Sequence, residues 1–330
     1  MPLNRRQFAS LSLLGAMPLH AVNASAQAAY PSKSISLVVP FTPGGSVDNS
    51  GRLMAEKLAR ILGKAVVVDN RGGAGAGGVI GSSFVAKAAP DGYTPIVTSQ
   101  STHVVNPAVN PKLPYDAIKD FAPITLIDRL ANVLLINADL PIRNFAERVK
   151  YARANPHKLN YASAGTGSVS HLRMELLKSQ AGLPMTHVPY KGAGSAVTDL
   201  ISGQVHLAWN NLSPNLDHIK TGKLRVLAVA APTRVPQLPD VATFAELKLP
   251  DLNMTSWTGL AAPAKTPDAI IQKLYAAMRQ VLEEPSTQAL WVSKGMMIPE
   301  NVSPQACRAE RVDRIKFYQR VAQPDNIVLD

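Results

Sequence analysis

The residues best suited to chemistry lie in loops that carry glycines. The first loop, Phe41-Thr42-Pro43-Gly44-Gly45-Ser46-Val47-Asp48, follows a β-branched run and precedes an amphipathic helical pattern. A strand that ends in a glycine pair and feeds a helix leaves backbone N–H groups free around whatever sits at that helix end. Pro43 fixes its own φ and has no donor, whereas Gly44 and Gly45 let the backbone approach a ligand closely. Ser46 or Asp48 is placed to cap the helix. The spacing describes an anion site and an ordinary strand–helix turn equally well. A second loop, Ser163-Ala164-Gly165-Thr166-Gly167-Ser168-Val169-Ser170-His171, again joins a strand pattern to a helix pattern. Its small hydroxyl residues beside Gly165 and Gly167 suit a carboxylate or phosphate at a helix N-terminus. His171 reads either as a ligand contact or as a satisfied first-turn residue.

A third loop, Asn70–Gly78, contains a literal GxGxxG at Gly73, Gly75 and Gly78. A dinucleotide fingerprint runs directly from its strand into the glycines and needs an acid at the end of the next strand, about 20 residues on. Here Asp69-Asn70-Arg71 intervenes, and the acid near that offset, Asp91, precedes the next strand. A close-packed connection fits better than a nicotinamide or flavin site. There is no GxxxxGK[ST], no GxSxG and no HExxH in the chain, and those absences count against nucleotide triphosphates, a nucleophile elbow and a zincin centre. His103, His157, His171, His187, His206 and His218 show no metal-ligand spacing, and Cys307 has no evident base beside it. No cofactor, metal or catalytic residue is expected. The sequence offers donors without a nucleophile.

The elements that must position these loops alternate. Strand patterns fall at 35–41, 65–69, 94–99, 123–128, 133–137, 159–164, 185–190, 205–210, 224–230 and 254–262. Helix patterns fall at 48–62, 79–89, 144–154, 171–181, 193–202, 214–221, 242–247, 267–283, 286–294 and 304–321. The alternation predicts an α/β protein with mixed, mainly parallel sheets flanked by helices. Two apolar runs follow one another near 128–133 with no helix between, and a Pro-rich stretch, Pro232–Pro250, precedes the strand near 254. A chain that crosses twice builds one lobe from both ends, 27–131 plus 254–330, and one from the middle, 132–253. Ligands in such folds sit at the carboxyl ends of strands, in the cleft.

Composition narrows the classes. The 330 residues are 46% hydrophobic and 17% charged, which is globular and large enough for two cores. Residues 1–26 hold Arg5 and Arg6, a short apolar stretch and small residues before Ala26, the pattern of a cleaved signal peptide. Asn4-Arg5-Arg6-Gln7-Phe8 fits a twin-arginine signal, and a general secretory signal fits as well. The mature chain is therefore expected in the periplasm and not as a membrane span. The signal carries two arginines and no acids, so its removal takes the net charge from +11 to +9. No run of basic residues interleaves with aromatics; nucleic acid is a poor partner, and a field that favours small anions is the better use.

Several stretches resemble a known family: YPSKSISLVVPFTPGGSVD (30–48), VVVDNRGGAGAGGVIG (66–81), PYDAIKDFAPIT (114–125), LNYASAGTGSVSHL (159–172) and HVPYKGAGSAVTDLISGQV (187–205). They run in order over essentially the whole mature chain and are similar to the tripartite tricarboxylate transporter substrate-binding proteins, the Bug family of periplasmic solute receptors. The resemblance implies a monomeric, two-lobed type II periplasmic-binding fold that closes on a small carboxylated solute and hands it to transporter membrane subunits or a sensor. It implies two pincer loops, Pro43–Asp48 and Ser163–His171, with Ser99 and Thr102 at the pocket wall. Where family members often carry an acid, this chain has Asn210, which makes an amino-acid ligand less necessary. Ser46 stands in place of a usual glycine, and Gly72 in place of a frequent proline. The competing class is an enzyme, a secreted hydrolase or an NAD-linked oxidoreductase, which turnover would reveal.

Overall fold

A computed structural model describes residues 30–73, 77–156, 158–300 and 302–322. The proposed signal at 1–26, residues 74–76 of the glycine cluster and His157 lie outside the described residues. The described residues from Lys33 to Ala322 belong to one compact body. Two sheets organise it. The first uses β1 (Ile35–Val39), β2 (Val66–Asn70), β3 (Ile96–Ser99), β4 (Phe121–Leu130), β10 (Ser256–Pro263) and β11 (Met296–Met297), in the order β11-β4-β10-β3-β1-β2. The second uses β5 (Asn132–Asn137), β6 (Asn160–Ser163), β7 (Thr186–Pro189), β8 (Leu207–Asn211) and β9 (Leu224–Ala230), in the order β7-β6-β8-β5-β9.

Both sheets are mixed, as expected, but the parallel share is smaller than the alternation suggests. Parallel ladders join β1 to β2 and β3, and β6 to β7 and β8; the ladders made by β4, β5 and β10 are antiparallel. The cause is the crossing itself. β4 passes through Ala131 directly into β5, and β9 returns through residues 231–255 to β10, so these strands enter their sheets without the helical crossover that parallel pairing needs. Buried Asn132 ties the two crossings together. Its amide N–H donates to the Met254 carbonyl at 3.2 Å, and its amide oxygen accepts from the Ser256 hydroxyl at 2.9 Å.

The helices are α1 (Ser46–Leu62), α2 (Val79–Ala86), α3 (Asn106–Val109), α4 (Phe145–Ala154), α5 (Val169–Ala181), α6 (Ala193–Ile201), α7 (Leu216–Lys220), α8 (Asp268–Glu283), α9 (Pro285–Ser293) and α10 (Pro304–Ala322). α1 buries Met54, Ala55 and Leu58 at helical spacing and ends on Gly63, whose φ of +64° suits a left-handed C-cap. One core cluster spans both sheets through α5 and α10; it includes Leu126, Leu134, Leu172, Leu177, Trp209 and Tyr318.

One sequence expectation needs correction, and one element is additional. The helix at 242–247 is a single turn. Thr243 and Glu246 do form a reciprocal capping box, with N–H···O distances of 2.7 and 3.2 Å. Lys248 at φ +61° and then Pro250 stop it after one turn. A helical segment to which the sequence patterns assign no element follows β3: a π-helical turn, Ser101–Val105, runs into α3. Its β-branched residues and Pro107 disguised it, and π turns recur at functional sites.

Candidate functional site

Three helices point their N-termini at one cleft between the sheets. α1 begins after Gly45, α5 after Ser168, and α6 after Gly192, and residues from all three starts (Gly45 and Ser46, Val169 and Ser170, Ala193) line an open cleft. The remaining wall includes Phe41, Ser99-Gln100-Ser101 at the end of β3, Trp209-Asn210-Asn211 on β8, and Ser256-Trp257-Thr258 on β10. No charged side chain is among the lining residues. Backbone N–H groups, hydroxyls and amides are what this cleft has to offer, together with the positive ends of three helix dipoles.

In the first loop, Gly44 has φ +89°, a conformation open to glycine, while a Cβ there would meet nothing within 4 Å. Its backbone, rather than the space around it, requires glycine. The N-cap is Gly45 without a side-chain cap, so neither Ser46 nor Asp48 plays that part. Asp48 braces the loop instead: its carboxylate accepts from the Gly44 N–H at 3.0 Å, the Arg52 Nε at 3.0 Å and the Asn70 amide at 2.9 Å. Burial pushes the Asp48 carboxyl up, but these three donors outweigh it and hold the pKa below the ordinary value. Ser46 faces the cleft and accepts from the amide of Asn211, across from the other sheet.

The second loop is wound on itself. Gly165 and Gly167 have φ of +118° and +79°. The Ala164 N–H donates to the Ser170 hydroxyl at 2.9 Å, the Gly165 N–H to the Ser163 hydroxyl at 3.1 Å, and the His171 N–H to the Ser168 hydroxyl at 3.2 Å. The Val169 N–H donates to the Ser101 hydroxyl at 3.0 Å, which links this loop to the first sheet. His171 lies behind the loop, stacked on His187 with ring centroids 3.9 Å apart; Tyr161 stacks on the other face of His187 at 4.9 Å. The His187 Nε2 sits 2.6 Å from the Ser163 hydroxyl. Burial, and then the charge of its neighbour His171, lowers the His187 pKa to about 4, and burial lowers that of His171.

Of the residues singled out in the sequence, Phe41, Gly45, Ser46, Ser99 and Asn210 line the cleft. Pro43 and Gly44, with Gly45 and Asn210, line an adjoining depression against α6. Asp48, Thr102, Ser163, Gly165, Thr166, Gly167, Ser168 and His171 are not among the cleft-lining residues. Thr102 buttresses Ser99, its hydroxyl 3.2 Å from the Ser99 hydroxyl. The sequence reading missed the third helix start. Tyr190-Lys191-Gly192-Ala193-Gly194 repeats the strand–glycine–helix pattern of the two loops it did name, so that signal was present. The sequence reading also missed Gln100, Ser101, Trp257 and Thr258, whose meeting depends on the crossing of β10.

The chain matches, over residues 51–321, the family described as tripartite tricarboxylate transporter family receptor. The chain belongs to that family. Among receptors of this kind, the periplasmic binding protein BugD is 31% identical, with a TM-score of 0.87 over 91% of this chain and 99% of that one. The Rhodopseudomonas palustris protein Rpa4515, solved with adipate, is 35% identical (TM-score 0.86, 91% and 99% covered). MatC (Rpa3494) from the same organism, solved with bound malate, is 33% identical (TM-score 0.84, 88% and 99% covered). The two mixed sheets and the cleft between them are thus the receptor fold of the tripartite tricarboxylate family. Among the described residues no helix is long and apolar enough to cross a membrane, and no cluster of His, Cys, Asp and Glu could hold a metal.

Proposed function

We propose that this protein is a periplasmic receptor that captures a small carboxylate and delivers it to the membrane subunits of a tripartite tricarboxylate transporter. The ligand lies between a lobe of residues 27–131 with 254–330 and a lobe of residues 132–253, and the lobes close over it. One observation carries the reading: three helix N-termini converge on a cleft whose lining has donors and no charged side chain. Such a site compensates an anion without an ion pair, and hydrogen bonds to an ionised acceptor are roughly twice as strong as neutral ones. Adipate and malate in related receptors support the ligand class. The receptor family and the receptor fold support binding rather than turnover as the activity.

Differential scanning fluorimetry against a panel of carboxylic acids, malate and adipate included, tests this. A true ligand at 100-fold above its Kd raises Tm by about 5–10 °C, and NMR shows it unchanged after overnight incubation. A panel with no stabilising acid, or one acid consumed, would overturn the proposal. Transport is tested separately: deleting the partner membrane subunits should abolish uptake of the acid that binds.

A further inference from the structure

We infer that Gln100 donates an amide N–H to the bound acid, and that Tyr318 and Arg173 fix the amide in that orientation. The inference rests on the carboxylate reading above and concerns how the cleft selects among acids.

Gln100 follows β3, lines the cleft and is 1% exposed. One end of its amide lies 2.8 Å from the hydroxyl of Tyr318 on α10. The other end is buried and has no partner. The same Tyr318 oxygen receives two N–H groups of Arg173, from Nε at 3.3 Å and Nη2 at 2.9 Å. Amide nitrogen and oxygen are isosteric, so the count of hydrogen bonds decides which end faces the phenol. With nitrogen toward Tyr318, the phenol oxygen would face three N–H donors, its own proton would lack an acceptor, and a carbonyl oxygen would be buried bare. With the amide turned over, Arg173 donates to the phenol oxygen and the phenol donates to the Gln100 carbonyl. The Gln100 NH2 is then the group left unpartnered, in a residue of the cleft wall. An acceptor on the ligand completes it.

The chain of donors starts from an unusual cation. Arg173 is fully buried and has no carboxylate partner among the described residues; its other contacts are the carbonyls of Leu252 and Met254 at 3.3 and 2.5 Å and the Trp209 ring at 5.2 Å. Each link from guanidinium to phenol to amide polarises the next in the same sense. Its open end carries a strengthened donor, which favours a ligand carboxylate, carbonyl or hydroxyl oxygen over an ammonium at that position. Tyr318 and Arg173 act as positioning residues.

Titration calorimetry on the mature chain with malate, adipate and related C4–C6 acids tests this. For the acids that wild type binds, Gln100→Leu should weaken binding about 10- to 100-fold, the range for a hydrogen bond to a charged group. Gln100→Glu keeps the shape and the acceptor for Tyr318 but replaces the donor with an oxygen, and should lose at least as much at pH 7.5. Tyr318→Phe should weaken binding by a smaller factor, about three- to tenfold, because the amide then turns freely. In wild type, the Gln100 side-chain NH2 resonances, assigned by their absence in Gln100→Glu, should shift when the acid is added and should not do so in an equimolar addition of chloride. If wild type binds an acid and both Gln100 variants bind it within twofold, this inference falls and the carboxylate reading stands. If wild type binds none of the panel, both fall.

Discussion

At the scale of single residues, the site separates groups that touch the cleft from groups that hold its loops. Asn210 belongs to the first set: it lines the cleft, and its amide oxygen accepts from the Asn211 N–H at 2.8 Å, which leaves the NH2 as the group on offer. Asn210→Asp removes that donor and adds a negative charge, so a dianion such as malate should bind about 10- to 100-fold more weakly by calorimetry, while an acid with an amino group is spared. His187 belongs to the second set. It packs against His171 and Tyr161 and touches Ser163, with Glu175 and Lys178 paired at 2.8 Å in the same cluster. Its folded pKa of about 4 lies below the unfolded 6.5, so below pH 6.5 the unfolded chain binds the extra proton and stability falls as pH drops toward 4. Above pH 6.5 this group adds no pH dependence. His187→Gln should flatten the fall in Tm between pH 7 and 5 by about 2–4 °C relative to wild type, the equivalent of roughly 1 kcal/mol once solvent screening is allowed for. Equal slopes for the two proteins would refute this role.

At the scale of elements, the three helix starts must approach one another without side chains between them. A Cβ on Gly194, in the first turn of α6, would lie 2.6 Å from the Pro43 carbonyl oxygen and 3.2 Å from the Gly44 carbonyl carbon. Gly194 needs no left-handed backbone, but this close approach exists without ligand, so Gly194→Ala should lower the unliganded Tm by the equivalent of about 1–3 kcal/mol of overpacking. It should also weaken every ligand by a common factor, because Gly45 and Ala193 on the two sides of the contact line the cleft. A drop in unliganded Tm with unchanged affinity would mean that the contact serves folding alone. This is the level at which the sequence was most and least legible. Strand and helix positions followed from apolar periodicity, because β-branched runs and 3.6-residue patterns report burial directly. Gly45, Ser46 and Ser99, which line the cleft, were legible as candidates because a turn between a strand and a helix has few places to put a ligand. Trp257 and Thr258 were not, because β10 reaches the cleft from more than 120 residues away and only its antiparallel pairing with β3 sets Thr258 opposite Ser99, and Gln100 was not, because its hydrogen-bond partner Tyr318 lies on the distant α10. The inward turn of the Ser163 and Ser168 hydroxyls was equally hidden, since a loop that satisfies itself has the same composition as one that waits for a ligand.

At the scale of the whole molecule, the cleft and the surface divide the electrostatic task. The lining carries no charged side chain, whereas the chain as a whole carries a formal +11. Three further arginines, Arg148, Arg173 and Arg311, are buried without a carboxylate partner among the described residues, so their charge is not cancelled locally. Held at rest, a bound acid is stabilised by short-range N–H donors that salt does not screen. Approaching through solvent, it feels the long-range field, which salt does screen over about 10 Å at 0.1 M. The two contributions separate in kinetics. Trp209 and Trp257 both line the cleft, so stopped-flow tryptophan fluorescence reports the ligand's arrival. From about 10 to 200 mM NaCl the association rate of malate should fall about three- to tenfold, that of a monocarboxylate by roughly the square root of that factor, and the dissociation rates should barely move. Association that is indifferent to salt, with dissociation that accelerates instead, would place the decisive charge inside the closed cleft and contradict the division.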